Sequence, residues 1–299
     1  MSRHLRIALV QAAAEPFERF AAGLRARMAS PHAAQLVVYP ELHLCPIEGS
    51  VEEWYAAHAE PLDGPRGTAL GKLARELGIW LIPGTVLERG QDGKVYNTAV
   101  VYDPDGELVA AYRKIFTWRP YEPMCVGREF VVFDLPGYGR VGLSICYDAW
   151  FPEVTRHLAW LGAELVVNVV QTATAGRAQE RPLNQANAIV NQIWVATVNG
   201  AAPTALGDTF LVDPEGHIQA EAPAAHEATL VSIVDFDRVA AARKYGTSGD
   251  SWPWAQPDPA DGPLDLPLYG GQLDPATWRP AISPETPESL RPQGDPAFR

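Results

Sequence analysis

Residues 141–153 read Val141-Gly142-Leu143-Ser144-Ile145-Cys146-Tyr147-Asp148-Ala149-Trp150-Phe151-Pro152-Glu153. The run up to Ile145 is apolar or small throughout, the pattern of a strand covered on both faces, and Pro152 stands where a helix can begin. Upstream, Gly137-Tyr138-Gly139 separates this strand from an apolar run at 130–135, which predicts a hairpin. Downstream, a helix over 151–161 leads to a strand over 164–170 rich in valine. A hairpin joined to a strand-helix-strand unit requires a mixed sheet, because hairpins make antiparallel pairs and helical crossovers make parallel ones.

The same rhythm extends in both directions. Strands are expected at 5–11, 36–40 and 79–82, and helices at 17–28, 52–59 and 66–77, the last stopped by Gly78. The turn Asp103-Pro104-Asp105-Gly106 predicts a second hairpin between 95–102 and 107–112. A helix at 178–192, a strand at 193–198, a hairpin over 207–220, a strand at 228–234 and a helix at 237–244 complete the series. Such a series suits an α/β fold of two stacked mixed sheets with helices outside each.

Composition narrows the function. The chain has 299 residues, is 47% hydrophobic and carries a net charge of -12, with no cluster of Lys and Arg above that background. It is long enough for one sizeable core, and nucleic acid is not an expected partner. No run approaches the ~18 apolar residues of a membrane span, and the first residues lead directly into a strand, so no membrane association and a cytoplasmic location are expected. Cys45, Cys125 and Cys146 show no CxxC spacing, which predicts neither a disulfide framework nor a zinc knuckle. Gly84, Gly90 and Gly93 form no phosphate loop and no His, Asp and Glu set has metal-ligand spacing, so no cofactor and no metal are expected. One unit is expected over 1–245. The extension 246–299 is Pro-rich yet carries Trp252, Trp254, Tyr269 and Trp278, aromatics costly to leave in water. That tail is expected to dock on the body or on a partner subunit.

Three residues stand at or near the ends of strand-like runs: Glu41 after Tyr39-Pro40, Lys114 after Tyr112-Arg113, and Cys146 in Ile145-Cys146-Tyr147-Asp148. Strand ends can bring all three to one edge of a core. Singly, each has a plain alternative as a surface charge or a small core residue. Jointly, with Phe151-Pro152-Glu153 following the cysteine, the motifs resemble those of the nitrilase superfamily, the carbon-nitrogen hydrolases, from about residue 5 to about residue 240. The resemblance implies a four-layer αββα sandwich and a Glu-Lys-Cys triad of Glu41, Lys114 and Cys146. A further glutamate, Glu122, matches one the family places after the lysine and before a glycine, with an expected role in orienting Lys114 or the substrate nitrogen.

The implied chemistry is hydrolysis of a small linear amide by a cysteine thioester. A thiol near its ordinary pKa of about 8.5 is a weak nucleophile at neutral pH, so the site must lower that pKa or remove the proton. The helix beginning at Pro152 is expected to favour the thiolate, Glu41 to act as general base and acid, and Lys114 with the Tyr147 N–H to stabilise the oxyanion. Tyr147, Asp148 and Trp150 flank the nucleophile and are candidate substrate-binding residues; Asp148 and Trp150 have the alternative of capping and packing the next helix. His43, two residues from Glu41, is the rival partner for a Cys-His dyad, whereas His157 reads as structural.

The residues after Cys146 resemble the amidase and carbamoylase branches more than nitrilases proper. Trp150 stands where relatives that hold a substrate carboxylate have arginine, which points to an uncharged or cationic substrate and keeps an N-carbamoyl amine in play. Asn187 and Val190 depart from an Arg and Glu that many relatives pair. A nitrilase, acyl transfer to another acceptor and a silent scaffold of the same fold are the remaining readings. Homo-oligomerisation through the outer helices, Ala159, Trp160 and Leu161 among them, is also what the resemblance implies.

Overall fold

In the computed structural model the described residues are 3–30, 33–255 and 265–270. They form β1 (His4–Gln11), α1 (Phe17–Met28), β2 (Leu36–Val38), α2 (Val51–His58), α3 (Pro65–Leu77), β3 (Trp80–Ile82), β4 (Thr85–Arg89), β5 (Val95–Tyr102) and β6 (Leu108–Arg113). There follow β7 (Val132–Leu135), β8 (Gly139–Ile145), a 3-10 helix at Cys146–Trp150, α4 (Pro152–Trp160), β9 (Leu165–Val170), α5 (Arg177–Asn191), β10 (Trp194–Asn199), β11 (Phe210–Val212), β12 (Ile218–Glu221), β13 (Ala228–Asp235) and α6 (Phe236–Tyr245).

Two mixed sheets result. One has the order β13-β1-β2-β3-β5-β4 with β6 also paired to β5, and the other runs β12-β11-β10-β9-β8-β7. All three expected hairpins are present, as β5 with β6, β7 with β8 and β11 with β12 are antiparallel, while β8, β9 and β10 run parallel through helical crossovers.

Burial shows the layers. One apolar cluster lies between the sheets and takes Leu9, Val38 and Tyr112 from the first and Leu143, Val167 and Val198 from the second. A second cluster joins the outer face of the first sheet to α1 and α3, through Phe20, Leu24, Leu70 and Leu73. A third joins the outer face of the second sheet to α4 and α5, through Val154, Leu158 and Ala188. This is the αββα sandwich, and the continuous apolar strands follow from each sheet being covered on both sides.

Three differences from the sequence reading have local causes. Strand β4 goes unpredicted because Glu88 and Arg89 interrupt its apolar run; Glu88 is nonetheless buried, accepting from Thr98 Oγ1 at 2.7 Å and from Arg113 Nη2 at 2.6 Å. The chain does not pass straight from Cys146 into α4 but makes a 3-10 turn first. Strand β2 ends at Val38, so Glu41 sits in the turn beyond it rather than at its last residue.

The start of the C-terminal extension touches the body. Trp254 donates from Nε1 to Asn191 O at 3.0 Å, with the Arg156 guanidinium 4.7 Å from its ring centre, and Tyr269 donates to Glu153 Oε1 at 2.6 Å. Trp278 lies outside the described residues. Among the described residues no helix is long and apolar enough to cross a membrane.

Candidate active site

The carboxyl ends of β2 and β6 from one sheet and of β8, β9 and β10 from the other meet at one end of the sandwich. Strand ends are where α/β folds leave backbone and side chains free to face a crevice. Glu41 arrives there by a tight approach: Gly84 has φ +88° and a Cβ on it would lie 1.7 Å from Pro40 O, so only glycine lets the chain before β4 pass the Pro40-Glu41 turn.

Lys114 and Glu41 are both buried and form an ion pair, Nζ to Oε1 at 3.0 Å. Nζ also donates to Glu122 Oε1 at 2.6 Å, and Glu122 is anchored in turn by Trp118 N at 2.8 Å from Oε2. Glu41 Oε1 further accepts from Asn97 Nδ2 at 2.7 Å and its Oε2 from the Gln171 N–H at 3.0 Å. The Lys114 backbone is clamped by Asn97 O and by Gly127 N, at 2.9 and 2.7 Å. A Cβ on Gly127 would lie 2.1 Å from Arg113 O, which is why a glycine follows Glu122 here.

Cys146 is half-buried, directly after β8, with φ 46°. That left-handed backbone is strained for a non-glycine residue and makes a sharp elbow at the end of the strand, as strand-to-helix turns that carry nucleophiles do. Its Sγ lies 3.7 Å from Thr172 Oγ1. Tyr147 N–H falls in the first turn of the 3-10 helix, where N–H groups have no partner within the helix.

Electrostatics tie the groups together. Burial raises the Glu41 pKa, with Lys114 opposing and Glu122 assisting. Burial pulls the Lys114 pKa down, yet the facing charges of Glu41, Cys146 and Glu122 outweigh it and leave the ammonium held above its ordinary value. The Cys146 thiol is pushed well above its ordinary value, by burial first and then by Glu41, against the pull of Lys114. The expected stabilisation of a thiolate by the helix at Pro152 is therefore not what governs this sulfur. The 3-10 turn separates α4 from it, and a helix terminus acts only over its first turn.

Asp148 requires a correction. It is wholly buried, and its carboxylate accepts from Tyr112 OH at 2.7 Å, Phe116 N at 2.8 Å and Ile145 N at 3.0 Å. It braces the elbow from behind and presents nothing to a ligand. Burial, with Lys114 and these donors opposing, raises its pKa to about 6. Tyr147 and Trp150 are half-buried beside Phe151, their rings 5.6 to 5.8 Å apart, and so form an aromatic wall next to Cys146.

His43 lies elsewhere. Residues 41–45 form turns rather than a strand, so alternation does not apply, and the His43 ring packs on Phe20 and Tyr39 with Nε2 3.2 Å from Glu15 Oε1. His157 bonds Glu153 O at 2.7 Å and stacks on Phe130. Asn187, read as a lost ion pair, instead donates to Ala149 O at 3.1 Å and ties α5 to the elbow. A cavity of about 490 Å³ lies behind the 119–126 loop, lined by Tyr96, Cys125 and Arg128 among others, and meets the site only at Glu122. Among the described residues one acid and histidine group, Asp213, Glu215 and His217, has metal-ligand proximity, but Arg238 Nη2 already sits 2.7 Å from Asp213 Oδ2.

Residue reading missed several neighbours: Asn97, the Gln171 N–H, and a buried chain from Thr172 to Glu180 and Arg177. Thr172 Oγ1 donates to Glu180 Oε1 at 2.7 Å, and Arg177 Nη1 donates to Glu180 Oε2 at 2.5 Å. Only the abrupt run of polar residues after β9 could have flagged Thr172.

Comparison with known proteins follows the same lines. The family described as carbon-nitrogen hydrolase matches residues 6–244. Omega-amidase NIT2 of Homo sapiens is 33% identical over 234 residues, covering 73% of this chain and 83% of that protein. Nit3 of Saccharomyces cerevisiae, a member of branch 10 of the nitrilase superfamily, superposes with a TM-score of 0.73 at 27% identity, covering 82% of this chain and 94% of that one. A mutant of the amidase from Nesterenkonia sp. AN1, carrying the acetamide moiety of fluoroacetamide on its active-site cysteine, gives a TM-score of 0.67 at 25% identity over 81% of this chain and 95% of that one.

Proposed function

The chain belongs to the carbon-nitrogen hydrolase family and is an amide-hydrolysing enzyme, and from that premise we propose that it releases ammonia from a small aliphatic amide with a terminal carboxamide, through a thioester on Cys146. The observation that carries this reading is the buried Lys114 ammonium held between Glu41 and Glu122, beside a thiol whose charge both Glu41 and Lys114 feel. An omega-amidase relative and an amidase neighbour that takes up an acetamide group support the class of substrate.

The donors and acceptors in place support the following roles. Glu41 takes the thiol proton as sulfur bonds to the carbonyl carbon. Two of the three Lys114 N–H groups are committed to Glu41 and Glu122, which leaves the third, with Tyr147 N–H, for the oxyanion. Glu41 then passes its proton to the leaving nitrogen as the C–N bond breaks and ammonia departs. Water attacks the thioester, Glu41 receives its proton, and the sulfur regains one as the carboxylic acid leaves. Glu122 fixes Lys114, and Tyr147 and Trp150 wall the acyl pocket. The absence of an arginine at Trp150 favours an uncharged or cationic acyl group.

Ammonia release from aliphatic amides, ω-amides, N-carbamoyl amines and nitriles, compared with Cys146→Ala, tests the reading. Release from the amides, lost in the variant, is expected. Activity on carbamoyl amines alone would move the substrate class, and activity surviving in Cys146→Ala would overturn the mechanism. Self-association is proposed through the α4 and α5 face, where Trp160 is 75% exposed with Leu161, Ile189 and Val190 beside it.

A further inference from the structure

The sulfur of Cys146 has a second polar neighbour besides the catalytic ion pair, and its hydrogens can be assigned. Thr172 Oγ1 stands 3.7 Å from Sγ and 2.7 Å from Glu180 Oε1. Glu180 is buried, and its other oxygen accepts from Arg177 Nη1 at 2.5 Å. Arg177 is buried too, with Nε donating to Gly207 O at 3.2 Å, so the clamp is fixed to the loop after β10. Thr172 itself is fixed by Asn199, which accepts from its N–H at 2.9 Å and donates to its carbonyl at 3.2 Å.

A hydroxyl has one hydrogen and two lone pairs. The carboxylate paired with Arg177 only accepts, so the Thr172 hydrogen goes to Glu180 and lone pairs face the sulfur. Thr172 can therefore accept from an S–H but has nothing to donate to a thiolate. We propose that Thr172 and Glu180 act as a positioning pair that holds the Cys146 proton and keeps the resting enzyme in the thiol form, so that the sulfur becomes nucleophilic only as Glu41 withdraws the proton during attack on a bound amide. The proposal rests on Cys146 being the nucleophile. It assigns Glu180 and Arg177 a part in protecting the free enzyme from adventitious electrophiles, a part no motif around the triad encodes.

The charged groups facing the sulfur come from several elements: Glu41 after β2, Lys114 after β6, Glu122 in the following loop and Glu180 on α5, with Arg177 behind it. Of these, Glu180 is the one that dictates the orientation of a hydroxyl on the sulfur. Glu180→Gln reverses that orientation. Arg177 offers only donors and so takes the amide oxygen; the amide N–H then faces Thr172, whose hydroxyl turns its hydrogen toward sulfur and now favours the thiolate.

The test is the pH profile of iodoacetamide alkylation of Cys146 in the full-length protein, read peptide by peptide by mass spectrometry, with the half-buried Cys125 as internal reference. In Glu180→Gln the midpoint is expected to fall by about one pH unit, which is about ten-fold faster alkylation at neutral pH. Thr172→Val with Glu180→Gln should lose most of that gain. An unmoved or raised midpoint in a Glu180→Gln protein that melts like wild type, or an equal gain in the double variant, overturns the proposal. A second measurement needs no variant at position 180: the infrared spectrum of wild type minus Cys146→Ala should show a hydrogen-bonded S–H band at neutral pH, and its absence overturns the proposal as well. Both readouts see the thiol and not the substrate. A failure of amide hydrolysis, which would sink the functional reading, is therefore distinguishable from a failure here.

Discussion

Lys114 is the residue whose environment makes the chemistry legible, because an ammonium with no exposure persists only if carboxylates face it. Lys114→Met removes the proposed oxyanion donor and leaves buried Glu41 and half-buried Glu122 without their cation. A loss in kcat of about 10³-fold is expected from the first effect, and a loss of about 3 kcal/mol in denaturant unfolding from the second. Glu41 as the proposed base needs to be unprotonated, and burial above all, against Lys114, raises its pKa. kcat/KM should therefore fall as pH is lowered through a midpoint above the ordinary carboxylate range. A pH-rate profile flat down to the ordinary range would contradict Glu41 as the base. Asp148 makes a different forecast, since its oxygens accept from two N–H groups and a hydroxyl. Asp148→Asn would set an N–H₂ against a donor and should cost about 1–3 kcal/mol, seen as a lower unfolding midpoint. Its raised pKa of about 6 also means that this buried carboxyl opposes folding increasingly as pH rises through that value, an effect the variant should abolish.

At the level of elements, the site is an outcome of how short strands end. The parallel strands β8, β9 and β10 deliver Cys146, Thr172 and Asn199 to one rim because their register places Ile145 beside Val169 and Val169 beside Val198. Strand β4 matters for a less visible reason: Gly84, just before it, lies against Pro40, and Thr85 Oγ1 accepts from Leu42 N at 2.9 Å. Gly84→Ala demands both a left-handed alanine and a shift of the Pro40 carbonyl. It should cost more than about 1 kcal/mol and displace Glu41, so that kcat falls together with the unfolding midpoint. A variant of wild-type activity and stability would show that this approach does not position the base.

For the whole molecule, the outer layer carries the remaining forecasts. Trp160 is largely exposed on α4, and Trp254 lies with its ring centre 6.2 Å away, anchored to Asn191 at the end of α5. The extension is thus proposed to brace the α4 and α5 face. Truncation after Tyr245 should lower the melting temperature and alter the number of copies in the assembly, and an unchanged melt and oligomeric state would count against it. Trp160→Glu should likewise lower the mass if copies pair through this face, as analytical ultracentrifugation would show.

The sequence by itself determined the order of strands and helices apart from β4, all three hairpins, and the motifs around Glu41, Lys114, Cys146 and Glu122. Each of these is carried by a local signal: an apolar run, a turn dipeptide, or a few residues around one position. Only the tertiary structure decided which groups surround the sulfur and what charge they favour. Gln171 N–H meets Glu41 across 130 residues of chain and Thr172 meets Cys146 across 26, and such contacts exist only after two sheets have stacked. The same holds for Asp148, whose position two residues from Cys146 suggests a ligand contact until burial under Tyr112 turns it into a brace. Burial is a property of the assembled layers, and it is burial that raises the thiol, raises the base and obliges the lysine to keep two partners.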